Sequence, residues 1–347
     1  MSNIRNTIKV GVAQLSLLVG LVLFVALSSL IPSVKADDLA ELHIGYQKGD
    51  FFQVLKANKT FDTLFPNTKI TWYDFPAGPQ LLEALNAGSI DIGGTGETPP
   101  VFAQAAGTPL VYVATQLGSG AGQAVIVPAD SPIKTGADLK GKKIALQKAS
   151  SAHLLLVRAL EASGLSYGDV TPEFLAPADA RAAFEGGSVD AWVIWDPFLS
   201  SAEKDLNARV LVDGVNLAAT RSFIEASQTF ATQHPDVVEV LVNQLIEVAK
   251  WAKANPDAYA AALAKETGVE EDIWKKSIDQ DAREVTFIDE TTISDQQKVA
   301  DLWFTVGLIP EKLNIRDVVW QPEDLKAQLS ATPEATVEAT TEATASP

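Results

Sequence analysis

The sequence predicts an α/β protein of two lobes with a cleft between them, followed by a helical C-terminal section. Three observations lead there. Short β-rich runs alternate with helical patterns through the first two-thirds, as in open sheets covered by helices. A segment is written twice: "PAGPQLLEALNAGSID" from Pro76 and "PADARAAFEGGSVD" from Pro177 share Pro-Ala, an amphipathic stretch, Gly-Ser, a β-branched residue and Asp. Finally, 347 residues exceed the usual single domain of about 100 to 200.

In chain order, Arg5 and Lys9 precede the apolar run "VGVAQLSLLVGLVLFVALSSLI", and Val34 and Ala36 stand at small-residue cleavage positions. Residues 1–36 therefore read as an export signal, with an uncleaved anchor as the alternative. The first lobe takes its strands from "LHIGYQ" (42–47), "KITWYDF" (69–75), "IDIGGTG" (90–96) and "LVYVATQ" (110–116). Between them "PQLLEALNAGS" places Leu81, Leu82 and Leu85 on one helical face, and "PPVFAQAAG" begins with prolines suited to a first turn. The second lobe uses "KKIALQ" (142–147), "PEFLA" (172–176), "VDAWVIW" (189–195) and "ARVLVDG" (208–214), with helices in "SSAHLLLVRALEASG" and "ADARAAFEGG". Beyond about residue 235, Val238, Leu241, Leu245 and Val248 recur at helical spacing. The expected division is 37–126 with 218–330 as the first lobe and 127–217 as the second. Hinges are expected near 124–128 and 217–225. The segment 331–347, Ala, Thr, Glu and Pro with almost nothing to bury, reads as a disordered tail.

Composition narrows the function. There is no cysteine, hence no disulfide, thiolate nucleophile, cysteine metal site or lipid-anchor cysteine. Lys and Arg number 27 against 44 Asp and Glu, a net charge of −17, so nucleic acid and anionic membranes are poor partners. His43, His153 and His234 are dispersed, and no serine triad, zinc motif or cofactor motif presents itself.

Ligands of open α/β sheets meet the loops at the carboxyl ends of strands. Each echoed segment runs through a strand into such a loop, "GTGETPP" in one lobe and "WDPF" in the other, so the echo reads as one rim per jaw. In "QKASSAHLLL", Ser150 and Ser151 stand where a strand ends and a helix begins, suited to capping or to holding an oxyanion. No Asp or Glu follows in that first turn to neutralise the helix dipole. "GGTGE" offers backbone and the Thr95 hydroxyl from the other lobe, without the lysine of a P-loop. Trp195, beside Asp196, is the aromatic wall, and Trp192 belongs to the core. Hydroxyls and amides without a basic cluster suit a sulfonate.

These residues resemble the aliphatic sulfonate-binding proteins of ATP-binding-cassette uptake systems, relatives of taurine- and nitrate-binding proteins. The resemblance runs through "IGYQKGD", "FPAGPQLLEALNAGSIDIGGTGETPPVFAQAAG", "SPIKTGADLKGKKIALQKASSAHLLLVRAL", "PADARAAFEGGSVDAWVIWDPF" and "IRDVVWQP", roughly residues 42 to 325. It implies a type II periplasmic binding protein, a monomer that closes around its ligand and delivers it to a membrane permease and ATPase. It implies Gln47, Gly78, Thr95, Gly96, Ser150, Ser151, Trp195 and Asp196 as pocket residues, with His153 packing behind them. Glu97 has three readings: turned away, bound to the amine of a taurine-like ligand, or set against divalent sulfate. Arg221 has two, grip on a second anionic group or a solvated side chain. Taurine, sulfate esters, nitrate, bicarbonate and a sensory role without transport are the alternatives. Thiamine-pyrimidine synthases share the general fold, but their cysteine-rich pattern is not matched.

Overall fold

The computed structural model describes residues 39–320 apart from 216, 218–220 and 281–283. The expected export signal and the tail from 331 lie outside the described residues. The elements run β1 (Glu41–Gln47), α1 (Phe51–Ala57), α2 (Thr60–Leu64), β2 (Lys69–Phe75), α3 (Gly78–Asn86), β3 (Ile92–Gly96), α4 (Thr98–Ala105) and β4 (Leu110–Leu117). There follow β5 (Gln123–Val127), β6 (Lys143–Leu146), α5 (Ser151–Ala162), β7 (Thr171–Phe174), α6 (Pro177–Glu185), β8 (Ala191–Trp195), α7 (Phe198–Asp205) and β9 (Arg209–Asp213). The chain continues with β10 (Arg221–Ser227), α8 (Gln228–Gln233), α9 (Pro235–Ala254), α10 (Pro256–Thr267), α11 (Glu271–Gln280), β11 (Glu284–Phe287) and α12 (Glu290–Thr305).

Two sheets result. The first has the order β11-β4-β10-β3-β1-β2, and the second β7-β6-β8-β5-β9. In the first, β1 runs parallel to β2 and β3, while β10 returns antiparallel between β3 and β4. In the second, β6 is parallel to β7 and β8, and β5 is antiparallel to β8 and β9. Every residue of β5 is buried, as in strands covered on both faces.

Pairing shifts the expected lobe boundaries. Because Gln123–Val127 pairs with β8 and β9, a boundary after residue 126 or a hinge at 124–128 would cut a strand. The first crossing is residues 118–122. The return crossing lies between β9 and Arg221, since 221–227 is strand rather than hinge. The crossings touch: a Cβ on Gly120 would meet the Gly214 carbonyl oxygen at 2.6 Å, and one on Gly214 would meet that of Gly120 at 2.4 Å. Glycine is required there by contact, and at Gly120 also by a φ of +84°.

The echo has a structural cause that differs from the expected one. Gly88 and Gly187, at φ of +71° and +67°, end α3 and α6 in the left-handed conformation. Ser89 N–H then donates to Ala84 O and Ser188 N–H to Ala183 O, both at 2.9 Å. Asp91 Oδ2 accepts His43 N–H at 2.7 Å, and its own N–H donates to His43 O at 2.8 Å. Asp190 repeats both bonds on Lys143, each at 2.8 Å. The repeated residues thus staple a helix end and a new strand to the start of the neighbouring strand. They sit at the amino end of β3 and β8, so they build sheets, and the rim begins only after the copies diverge.

Apolar side chains fill clusters around each sheet, with Trp192, Trp274 and Trp303 fully buried. One cluster joins the lobes: Leu154 and Val157 of α5 pack with Leu81, Val101, Ile293 and Trp303 of the first lobe. A fully buried Leu or Val contributes about 1.5–3 kcal/mol, so this seam holds α5 firmly against α4 and α12. Ion pairs bridge the lobes on the outside, Lys204 to Glu270 and Asp272 at 2.9 and 2.6 Å, and Lys276 to Glu203 at 2.7 Å.

Candidate ligand-binding cleft

A cleft of about 1050 Å³, counting its space open to solvent, lies between the sheets. The ten sequence-predicted residues all line it: Gln47, Gly78, Thr95, Gly96, Glu97 and Arg221 from the first lobe, and Ser150, Ser151, Trp195 and Asp196 from the second. The lobes meet closely here. A Cβ on Gly96 would stand 1.9 Å from Ser151 Oγ, so the end of β3 approaches the start of α5 at a distance that only glycine leaves open.

Helix polarity shapes the electrostatics. The helices α1, α3, α4, α5 and α7 begin at cleft-lining residues, and none has Asp or Glu in its first turn. Among the other described helices every one except α8 does, from Asp62 in α2 to Glu290 in α12. An acid in a first turn neutralises the positive end of the dipole, so the cleft collects the helix ends left unneutralised. The caps refine this. Asp50 and Glu97 occupy the N-cap positions of α1 and α4 without a side-chain capping bond, and Asp196 stands just before α7, whereas α3 and α5 start from Ala77 and Ser150. Both helices line the cleft, from opposite lobes. In α5 the N–H groups of Ser151 and Ala152 have no acceptor among the described residues, and in α3 the same holds for Gly78 and Gln80. In α4, Pro99 and Pro100 remove two donors, and Pro99 presses on Gly78, where a Cβ would meet its Cγ at 2.7 Å.

Two of the hydroxyls expected at the ligand, those of Ser150 and Thr95, are bonded within the protein. Ser150 Oγ donates to Gln147 O at 2.7 Å, closing the turn before α5. Thr95 Oγ1 lies 3.0 Å from Gly96 O and 2.7 Å from Glu225 Oε1. One hydroxyl proton cannot serve two acceptors. Glu225 is fully buried, and desolvation holds its carboxyl well above the ordinary range, with the Thr95 bond opposing and the Asp50 charge adding to the rise. A protonated Glu225 donates to Thr95, which donates to Gly96 O. Both of these hydroxyls are thus committed to the protein, which leaves the Ser151 hydroxyl and backbone amides to meet an anion.

His153 holds the α5 turn in place. It is 1% exposed, its Nδ1 accepts Ala149 N–H at 3.2 Å, and so its Nε2 carries the proton toward the Tyr167 hydroxyl at 2.7 Å. Burial, with the nearby Lys148 charge, pushes this imidazole down to about 4, so it is neutral. Ala149 itself takes a φ of +57°, a strained conformation for a residue with a Cβ.

Trp195 lines the cleft and Trp192 is fully buried against Phe184, as expected. Asp196 Oδ1 accepts Ser200 N–H at 2.9 Å, capping α7. Gln47 Nε2 donates to Gly94 O at 2.8 Å, tying β1 to β3. Arg221 is not a solvated side chain: it is 12% exposed and gives Nε and Nη2 to Asp295 Oδ2 at 3.2 and 2.9 Å. Sequence reading missed Lys48, Asp50, Gln116 and Ser222–Ile224, which also line the cleft, and Glu225 behind it. "QKGD" directly after β1 was a usable signal for the first two. Among the described residues no three His, Asp or Glu cluster as metal ligands.

Comparison with known proteins gives the family. The NMT1/THI5-like family model matches residues 74–259. The chain is 41% identical over 327 residues to an aliphatic sulfonates-binding protein of Escherichia coli (strain K12), covering 93% of this chain and 99% of that one. It is 30% identical over 315 residues to a protein of the same designation from Bacillus subtilis (strain 168), covering 86% of this chain and 94% of that one. The solved alkanesulfonate-binding protein SsuA of Xanthomonas axonopodis pv. citri, bound to MOPS, superposes with a TM-score of 0.79 at 42% identity, over 82% of this chain and 99% of that one. The chain belongs to the NMT1/THI5-like family and, within it, to the aliphatic sulfonate-binding proteins.

Proposed function

We propose that this protein is the exported solute receptor of an ATP-binding-cassette importer, a non-enzymatic monomer that captures aliphatic sulfonates in the cleft and delivers them to a membrane permease. The observation that carries the ligand class is the pair of unneutralised helix N-termini, α3 and α5, that line one cleft from opposite lobes. A sulfonate brings one permanent charge and three acceptor oxygens, and asks for donors rather than for a countercharge. The amides of Gly78, Ser151 and Ala152 supply them, with Gly96 leaving room and Trp195 covering the carbon tail. The glycine contact between the crossings is where the lobes would turn on closure.

A second reading has its own observation. Asp50, Glu97 and Asp196 line the same cleft, and an ammonium group on a taurine-like zwitterion would suit them. A thermal-shift screen against ethanesulfonate, octanesulfonate, taurine, sulfate and nitrate separates the two. Ligand at a thousand times its Kd stabilises by about 4 kcal/mol. Shifts with the alkanesulfonates support the first reading, a shift with taurine alone supports the second, and a shift with nitrate alone overturns both.

A further inference from the structure

Glu97 is the feature that simple anion binding leaves unexplained. It lines the cleft yet is only 3% exposed. Although it occupies the N-cap position of α4, its side chain makes no capping bond, and its Oε1 is buried with no hydrogen-bond partner among the described residues. Its backbone carbonyl is occupied by Gln296 Nε2 at 2.6 Å, so the residue is fixed and cannot swing out as a unit. The position is crossed by both lobes, because Ser151 Oγ lies against the preceding glycine.

The groups around it are mixed. Of the helices packed against α4, α5 carries Arg158 and the Ser151 hydroxyl, which act on the Glu97 carboxyl, and the neutral His153; α12 carries Asp295, shared between Arg221 and Lys298. The Tyr112 hydroxyl of β4 accepts from Gln296 at 3.2 Å, Glu225 of β10 is bonded to Thr95, and Arg221 and Asp50 line the same cleft as Glu97. The acid of α3, Glu83, is exposed. Its own backbone N–H, Arg158 and the Ser151 hydroxyl favour a charged Glu97, and Arg158 is itself largely desolvated.

An anion seated on the α3 and α5 amides would put a second negative charge beside this carboxyl in a site shielded from water. Two such charges cannot both persist there. The oxygens of a sulfonate are acceptors only, and an ionised Oε1 is an acceptor too, so the contact would also lack a proton. A carboxylic acid removes both problems at once. We propose that Glu97 closes the anion site as a neutral acid, its Oε1–H donating to a ligand oxygen, so that an alkanesulfonate is bound together with a proton. This rests on the sulfonate reading above. Burial already raises the Glu97 carboxyl above its ordinary range, against the opposing pull of its own backbone N–H, Arg158 and Ser151.

Calorimetric titration of the chain with ethanesulfonate from pH 5 to 8.5, in two buffers of different ionisation heat, tests this. In the wild type, proton uptake should rise with pH and affinity should fall, by up to about tenfold per pH unit above the carboxyl's free-state pKa. Glu97→Gln keeps an N–H donor, so it should bind within a few-fold of the wild type at pH 5 and lose the pH slope. Glu225→Gln should keep the slope, since Glu225 faces Thr95. A wild type with no proton uptake and no slope overturns the inference, as does a slope that survives in Glu97→Gln or vanishes in Glu225→Gln. A Glu97→Gln protein more than tenfold weaker at pH 5 overturns it too, because binding then uses the carboxylate. Should that variant not fold, the wild-type proton count decides alone. No ethanesulfonate binding at any pH overturns the ligand reading itself.

Discussion

The segment joining α3 to β3 and the segment joining α6 to β8 agree residue for residue at Gly-Ser, a β-branched position and Asp, and then part company. Where they agree they make the same bonds: a glycine ends the helix, and an aspartate takes the N–H of the neighbouring strand, His43 in one lobe and Lys143 in the other. Where they differ, one becomes "GGTGETPP", a backbone laid open to the cleft, and the other "VIWDPF", an aromatic wall and a capping acid. Repetition in this chain marks scaffold, and divergence marks ligand chemistry. The repeated half should respond to mutation through stability and the divergent half through affinity.

The largest expected effect sits in the cleft. Ser151→Asp places a negative charge in the first turn of α5, against the bound sulfonate, and at short range a like charge costs about 3–4 kcal/mol. Sulfonate affinity should fall more than about a hundredfold; retained affinity would place the anion elsewhere. His153 crosses the division, because it supports a cleft turn from inside the core. Its imidazole sits near 4 when folded, against about 6.5 unfolded, so the native chain binds fewer protons between those values. Its contribution is complete above pH 6.5 and is lost as pH falls toward 4, about 3 kcal/mol in all. Melting of the wild type and of His153→Gln at pH 7 and 4.5 should show this extra acid loss in the wild type alone. Next come Asp91→Ala and Asp190→Ala, each removing a charge-assisted bond to backbone and about 1.5–3 kcal/mol of stability. Sulfonate Kd should stay within a factor of two in both, and a large change in either would break the division. Smallest is Ser150→Ala. Its hydroxyl proton goes to Gln147 O, so affinity should drop less than about fivefold, the scale of one neutral hydrogen bond.

The sequence revealed eight of the eleven strands and ten of the cleft residues for local reasons. Apolar alternation, a glycine-rich strand end and an acid-free first turn at "SSAH" are written within a few residues. Pairing over distance was not legible. Strand β10, "RSFIEAS", carries Arg221 and Glu225 inside an apolar run, and nothing nearby announces that Asp295, 74 residues on, will neutralise the one or that Thr95 will meet the other. The same limit misplaced the lobe crossing, since "QAVIV" reads equally as the end of one sheet or the start of the next until its partners β8 and β9 are known. Hydroxyl direction was invisible for a related reason: whether Ser150 faces a ligand or Gln147 O depends on the turn set by Ala149 and His153.

Amide proton–nitrogen spectra recorded as ethanesulfonate is added test the central claim most directly. The account expects the largest shifts at the N–H groups of Gly78, Ser151 and Ala152, on the two helix ends, with Asp91 and Asp190 unmoved. Shifts centred on the repeated segments, or confined to one lobe, would contradict it.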